Sequence, residues 1–231
     1  MTKSAIKQNS GRGRPELPVA GKIHLWRTDL DESLGDISFL RRLLSPSELA
    51  RSHRFVFEKH RRRFIIAKAW TRSVLGFYLV RKPCDVPLIV DERGKPRIKT
   101  AENHFDLRFS LSHCGSLALL AVTVGQDVGV DIQNPLPEDL WPVAAARFLT
   151  TDELACIKDL SPTARALALA EVWTRKESVA KALGTGLTSQ VFSYAVGPST
   201  WGTVRCGGRL LVRSLLSCDR FAGAVAVRQD F

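Results

Sequence analysis

Residues 173–187 read WTRKESVAKALGTGL, and their opening triplet, Trp173-Thr174-Arg175, repeats an earlier one, Trp70-Thr71-Arg72. Leu44, Glu48 and Leu49 return in the same way as Leu149, Glu153 and Leu154, at nearly the same offset. An L-x-x-x-E-L pattern is common in any helix-rich chain, but a shared Trp-Thr-Arg is rarer, and the two matches together point to a duplicated unit. Outward from each triplet the chain reads as helices and then short strands. The expected architecture is α+β, with two pseudo-symmetric α/β subdomains from an internal duplication and an active site in the cleft between them. The expected boundaries are a flexible basic arm over residues 1–18, a first subdomain over 19–125 and a second over 126–231.

A short strand is expected from Lys22 to Trp26. Leu40 to Leu79 carries helical patterning that fits two helices divided near Phe57 to His60. Ser45 is the predicted N-cap, Pro46 the first helical residue and Glu48 the capping-box acid. From Pro87 the pattern shortens to strand-like pieces, broken at Arg93-Gly94-Lys95-Pro96, and Gly125-Gln126-Asp127 reads as a hairpin connection. A second helical block is expected over Val143 to Leu183, and strands again over Val191 to Val227.

Composition narrows the classes. With 231 residues, 45% hydrophobic and 25% charged, the chain can bury a substantial core and is not disordered. Cys84, Cys114, Cys156, Cys206 and Cys218 are scattered without CxxC or His-rich spacing, so they read as reduced, mostly buried thiols rather than a zinc site. No segment approaches the roughly 18 apolar residues of a membrane span, and the basic N-terminus has no signal-peptide core. A cytoplasmic protein without a membrane segment is expected. A formal charge of +11 and a pI near 9.9 favour polyanionic partners: nucleic acid, an acidic protein or a phosphate-rich small molecule.

Lys176, Glu177 and Lys181 fall within two helical turns. The plain reading is a solvated helix face, where a Glu–Lys pair four apart contributes about 0.2 to 0.5 kcal/mol. VGVDIQ, residues 128–133, changes the weighting. Strand alternation puts Val128, Val130 and Ile132 toward a core and Gly129, Asp131 and Gln133 on the other face, with the Asp131 carboxylate aimed away from the packing. One carboxylate from a strand and one from a helix make a plausible magnesium pair, because that ion takes one or two protein carboxylates and fills its other positions with water and phosphate oxygens. Lys176 and Lys181 would then serve the phosphates.

VGVDIQ followed by WTRKESVAKALGTGL resembles the paired signature of the 4'-phosphopantetheinyl transferases, in particular the larger, single-chain, pseudo-dimeric type. RGKPRI at 93–98, FSLSHCG at 109–115 and LSPSELARSHRF at 44–55 support the resemblance, which runs from about Leu44 to Leu187. It implies transfer of the phosphopantetheine arm from coenzyme A to a serine of an acyl or peptidyl carrier protein, with release of adenosine 3',5'-bisphosphate. It further implies Asp131 and Glu177 as magnesium ligands, with Gln133 at the position where the larger enzymes usually carry a second acid. Lys181 matches the lysine that stabilises pyrophosphate charge, and Glu177, a water or a neighbouring carboxylate such as Glu153 would accept the serine proton.

For coenzyme A the resemblance implies Ser112, His113, Lys176 and Lys181 at phosphates, Gly94, Lys95 and Pro96 beside the adenine, and Arg51 and Arg63 at the 3'-phosphate. Each has a plainer reading: His113 as a strand-end histidine, Arg51 and Arg63 as solvated residues, Lys95 as a turn lysine, Glu153 as a helix cap like Glu48. The expected partners are an acidic carrier and coenzyme A, with no nucleic acid, and a monomer is expected because the duplicated chain supplies both walls of the cleft. Two alternatives stay open. GRGRP at 11–15 and EKHRRRF at 58–64 suit a nucleic-acid binder, although they lack an interleaved aromatic platform. Gln133 suits a non-catalytic carrier-binding homologue.

Overall fold

The computed structural model describes residues 17–19, 21–32, 36–207, 209–218 and 220–229, so residues 1–16 of the expected arm lie outside the described residues. The first half holds β1 (His24–Asp29), α1 (Ile37–Arg41), α2 (Pro46–Ser52), α3 (Glu58–Leu79), β2 (Leu88–Val90), β3 (Pro96–Ile98), β4 (Leu107–Cys114) and β5 (Leu117–Val124). The second holds β6 (Val128–Gln133), α4 (Trp141–Arg147), α5 (Thr151–Ile157), α6 (Pro162–Leu183), α7 (Ser189–Ser193), β7 (Val204–Cys206), β8 (Leu210–Cys218) and β9 (Phe221–Arg228). The chain is therefore mixed helix and sheet, as read.

The two halves use the same local devices. At the start of α2, Ser45 Oγ accepts from Glu48 N (3.3 Å) while Glu48 Oε2 accepts from Ser45 N (3.0 Å). Thr150 and Glu153 repeat this box at α5, at 3.3 and 2.8 Å. Each box satisfies two otherwise orphaned N–H groups and is worth about 1 kcal/mol. The long helices α3 and α6 both run 22 residues, and both stop at a left-handed residue, Val80 (φ 54°) and Gly184 (φ 69°). The GTG that follows Leu183 thus does end the helix, because only glycine takes that conformation without steric cost.

Several boundaries differ from the reading. A short α1 precedes the helical block, and the break between α2 and α3 spans residues 53–57, slightly earlier than expected. β1 runs His24–Asp29 because its extent is set by β5, from His24 opposite Val122 to Asp29 opposite Leu117. Cys206 is the one buried thiol; Cys114 is half-buried and Cys84, Cys156 and Cys218 are exposed, so the expectation of mostly buried cysteines fails, although all five are free. Among the described residues no helix is long and apolar enough to cross a membrane.

One antiparallel sheet has the order β1-β5-β4 and the other β6-β9-β8-β7, with β2-β3 as a separate hairpin. Gly125-Gln126-Asp127 is consequently not a hairpin connection: it carries the chain from β5 in one sheet to β6 in the other. The outer strands β4 and β6 lie beside each other, and Val130 N donates to Ser110 Oγ across them (3.1 Å). Val128, Val130 and Ile132 pack against Leu119 and Ala121 of β5, which favours burying this apolar face over extending the first sheet. Each long helix covers its own sheet, α3 through Val74, Leu75 and Tyr78, α6 through Val172, Val179 and Ala182.

The face of β6 carrying Gly129 and Asp131 is not open, as the alternation had suggested. The backbone of α6 lies directly on it: a Cβ at Gly129 would sit 1.9 Å from Ser178 O and 2.5 Å from Ala182 N. A glycine inside a strand is the usual mark of such an approach. Asp131 is left only 2% exposed, under the helix that bears Glu177 and Lys181.

Candidate active site

Gly129 thus determines what Asp131 meets. Asp131 Oδ1 accepts from Lys181 Nζ (2.6 Å) and from Ser112 Oγ (2.8 Å). Lys181 Nζ also donates to Ser112 Oγ and to Val130 O, both at 3.1 Å, so its three protons are all used. The other carboxylate oxygen, Asp131 Oδ2, is buried with no hydrogen-bond partner among the described residues. A buried, charged acceptor left without a partner is costly and rare, and marks a place where a cation or donor is missing.

Glu177, one turn before Lys181 on α6, is the second acid. Burial pushes its carboxyl above the usual range, the negative charge of Asp131 pushes further, and Lys181 pulls back. The two carboxylates from distant parts of the chain therefore meet in one field. Gln133 stands at the end of β6, half-buried and opposite Ala222. Among the described residues no three His, Cys, Asp or Glu side chains group to hold a metal.

A cavity of about 240 Å³ adjoins Glu177 and Lys181. Gly94, Lys95, Pro96 and Ser110 line it from the first half, and Glu177 and Lys181 from the second. Lys95 has another task as well: its ammonium donates to Lys181 O (2.5 Å) and reaches Val128 O (3.5 Å), while Arg93 Nη1 donates to Gly184 O (3.3 Å). The β2–β3 hairpin thus covers the carbonyl end of α6 with two cations, where the helix dipole favours positive charge. Burial lowers the Lys95 pKa, with Asp127 opposing.

Two expectations fail here. Lys176 does not reach the cavity: it is 0% exposed, its Nζ pairs with Glu153 Oε2 (2.9 Å) and donates to Phe192 O (2.7 Å) and Tyr194 O (3.0 Å). Glu153 is equally buried, and its Oε1 accepts from Val196 N (2.8 Å) and Gly197 N (3.0 Å), so it caps and anchors rather than accepting a substrate proton. The pair repeats Arg72 and Glu48 (2.5 Å) in the first half. Arg72 and Lys176 hold the same place counted from the starts of α3 and α6, one residue out of step with the Trp-Thr-Arg match.

His113 follows Ser112 at the end of β4. Its edge is exposed, yet desolvation by its neighbours, then the charges of Lys181, Lys68 and Arg63, hold its pKa below the ordinary imidazole value. Arg51 lies over the Phe64 ring, 5.6 Å from its centroid. Arg63 is committed elsewhere, its Nε and Nη2 both on Asp31 at 2.7 and 2.6 Å. Motif reading missed Gly129, which a glycine inside an apolar strand could have flagged.

Strand acid, helix acid and lysine meet in the second half, beside a cavity that the first half helps to line, an arrangement suited to handling phosphate. Comparison with known proteins agrees. A family model for the 4'-phosphopantetheinyl transferase superfamily matches residues 127–223, and one for the N-terminal region of 4'-phosphopantetheinyl transferases matches residues 28–125. The chain is similar to the 4'-phosphopantetheinyl transferase HetI of Nostoc sp. (strain PCC 7120 / SAG 25.82 / UTEX 2576), 32% identical over 90% of this chain and 89% of that one. It is also similar to the transferase Sfp of Bacillus subtilis (strain 168), 26% identical over 66% of each chain, and to gsp of Aneurinibacillus migulanus, 27% identical over 62% of this chain and 60% of that one. The chain belongs to the 4'-phosphopantetheinyl transferase superfamily and is a transferase.

Proposed function

We propose that this enzyme moves the 4'-phosphopantetheine arm of coenzyme A onto a serine of an acyl or peptidyl carrier protein, using magnesium, in the cavity between its two halves. The carrier serine oxygen bonds to the β-phosphorus, the bond from that phosphorus to the bridging oxygen breaks, and adenosine 3',5'-bisphosphate leaves. The observation that carries the reading is Asp131 Oδ2, buried and unpartnered beside a second acid, Glu177. Those two carboxylates and the Gln133 amide oxygen suit a magnesium ion whose other ligands are water and phosphate. When bound, the ion supplies positive charge to the pyrophosphate oxygens.

The chain's own groups do the rest. Lys181 orients Asp131 and Ser112 through its three hydrogen bonds and places positive charge at the cavity wall. Glu177, made more basic by burial, accepts the serine proton. The first subdomain, 19–125, presents Gly94, Lys95 and Pro96 to the adenine, and the second, 126–231, carries the metal ligands. Because one chain lines both walls, the active form is a monomer, and five free cysteines fit a reducing cytoplasm.

Incubation with coenzyme A, magnesium and an apo carrier, followed by mass measurement, tests the proposal. The carrier should gain one phosphopantetheine, and Asp131→Ala or Glu177→Ala should abolish the gain. An unmodified carrier under every divalent metal tried would leave a non-catalytic carrier binder, and full activity in Asp131→Ala would remove the metal site.

A further inference from the structure

β6 is the outer strand of its sheet, paired with β9 along one edge, and its other edge offers backbone groups that no described strand takes. Side chains take them instead. Val130 N donates to Ser110 Oγ of β4 (3.1 Å), Val130 O accepts from Lys181 Nζ of α6 (3.1 Å), and Val128 O accepts from Lys95 Nζ of the hairpin (3.5 Å). Ser110, which comes from the first half and is 6% exposed, is thus the acceptor for a buried strand-edge N–H. Without that hydroxyl the N–H would lose its partner in a place where water does not replace it.

The same arrangement runs the length of β4. Leu107, Phe109 and Leu111 pack with Val74, Leu75 and Tyr78 of α3, so by strand alternation Arg108, Ser110, Ser112 and Cys114 share the opposite face. Each of these four reaches the second half, in order: Arg108 Nη1 donates to Asp127 Oδ1 (3.4 Å), Ser110 Oγ accepts from Val130 N, Ser112 Oγ donates to Asp131 Oδ1 (2.8 Å) and Cys114 Sγ donates to Asn134 Oδ1 (2.8 Å). Two strands of different sheets are therefore joined by side chains where a backbone ladder would otherwise run. Of the four, Ser110 is the one bonded to the backbone of β6, one residue before Asp131.

We propose that Ser110 is a positioning residue: by accepting from Val130 N it fixes β6 against the first half, and thereby sets where the bare Asp131 Oδ2 lies relative to Glu177 and the cavity. The role deepens the transferase reading and rests on it, although the seam itself does not. Ser110 acts through Val130 and not by contact with the ion. Freeing the strand edge moves the adjacent carboxylate, and a small displacement matters because magnesium demands near-ideal octahedral geometry. Ser110 also lines the cavity, so a direct contact with the nucleotide is the alternative that an experiment must separate.

Manganese serves as the probe, bound in the presence of coenzyme A without carrier and followed by loss of the free-ion electron paramagnetic resonance signal. Ser110→Ala, which leaves Val130 N–H unpaired, should weaken manganese binding about tenfold, within the cost of a buried unpaired donor, and Ser110→Thr, which keeps the hydroxyl, should restore it. Amide hydrogen exchange at Val130 should quicken in the Ala variant and not in the Thr variant. A lower thermal midpoint with unchanged manganese affinity would make Ser110 merely structural and overturn the proposal. Weaker binding of adenosine 3',5'-bisphosphate without metal, with manganese affinity kept, would make it a ligand contact and overturn the proposal equally. Wild-type protein that binds no manganese would refute the positioning of an ion ligand, whatever the carrier assay showed. Because no turnover is needed, manganese binding that weakens in Ser110→Ala while the carrier stays unmodified by wild type would sink the transferase reading and leave the positioning role standing.

Discussion

Asp131 on β6 and Glu177 on α6 show how one site can carry both a cost and a use. Asp131 is compensated on one oxygen by Lys181 and Ser112 and left bare on the other, while burial and the charge of Asp131 both oppose ionisation of Glu177. The raised Glu177 pKa has a stability consequence with a definite sign. Below the ordinary Glu value of 4.5 the group is protonated in both folded and unfolded chains and costs nothing. As pH rises through the higher folded pKa, the unfolded chain releases its proton more readily and stability is lost. Glu177→Gln mimics the protonated form, so in the presence of a chelator it should raise the thermal midpoint at pH 7, with the gain vanishing near pH 4. A lower midpoint at pH 7 would contradict the assigned burial and repulsion.

At the scale of elements, α6 is the part that assembles the site, and its position depends on a missing side chain. Gly129 lets the helix backbone touch β6, the β2–β3 hairpin holds the carbonyl end through Lys95 and Arg93, and the buried Lys176–Glu153 pair ties its middle to α5. Gly129→Ala would put a methyl group 1.9 Å from Ser178 O, backbone that has no rotamer to yield. The helix must shift, which should cost about 1 to 3 kcal/mol in denaturant unfolding and lower kcat/KM at least tenfold by displacing Glu177 and Lys181. Wild-type stability together with wild-type rate in that variant would show that the close approach is dispensable.

For the whole molecule, the two halves place like devices at like positions: a capping box before a short helix, a 22-residue helix ended by a left-handed residue, and a buried cation–carboxylate pair beneath it. They differ at the candidate site, since Asp131, Glu177 and Lys181 belong to the second half alone while the first contributes Ser112 and the hairpin. The net charge of +11 acts at this scale, and under the proposed function it would steer both coenzyme A and an acidic carrier. With a screening length of about 10 Å at 0.1 M salt, kcat/KM for the carrier should fall steeply between low and high ionic strength while kcat stays level. A salt-independent kcat/KM would deny the steering role.

The repeated triplets, the capping boxes, the helix-ending glycine and the strand and helix acids were all legible in the sequence, because each is a local pattern whose physics acts within a few residues. The same local character misled the reading at Lys176, Glu153 and Arg63: type and spacing suit phosphate or proton chemistry, but a charge goes to whichever partner the fold brings nearest. Only the tertiary structure decided that Lys176 closes on Glu153 and Arg63 on Asp31. It decided, too, that β6 leaves the first sheet and takes α6 on its polar face, since strand pairing and helix contact depend on burial summed over distant residues rather than on any short stretch of chain.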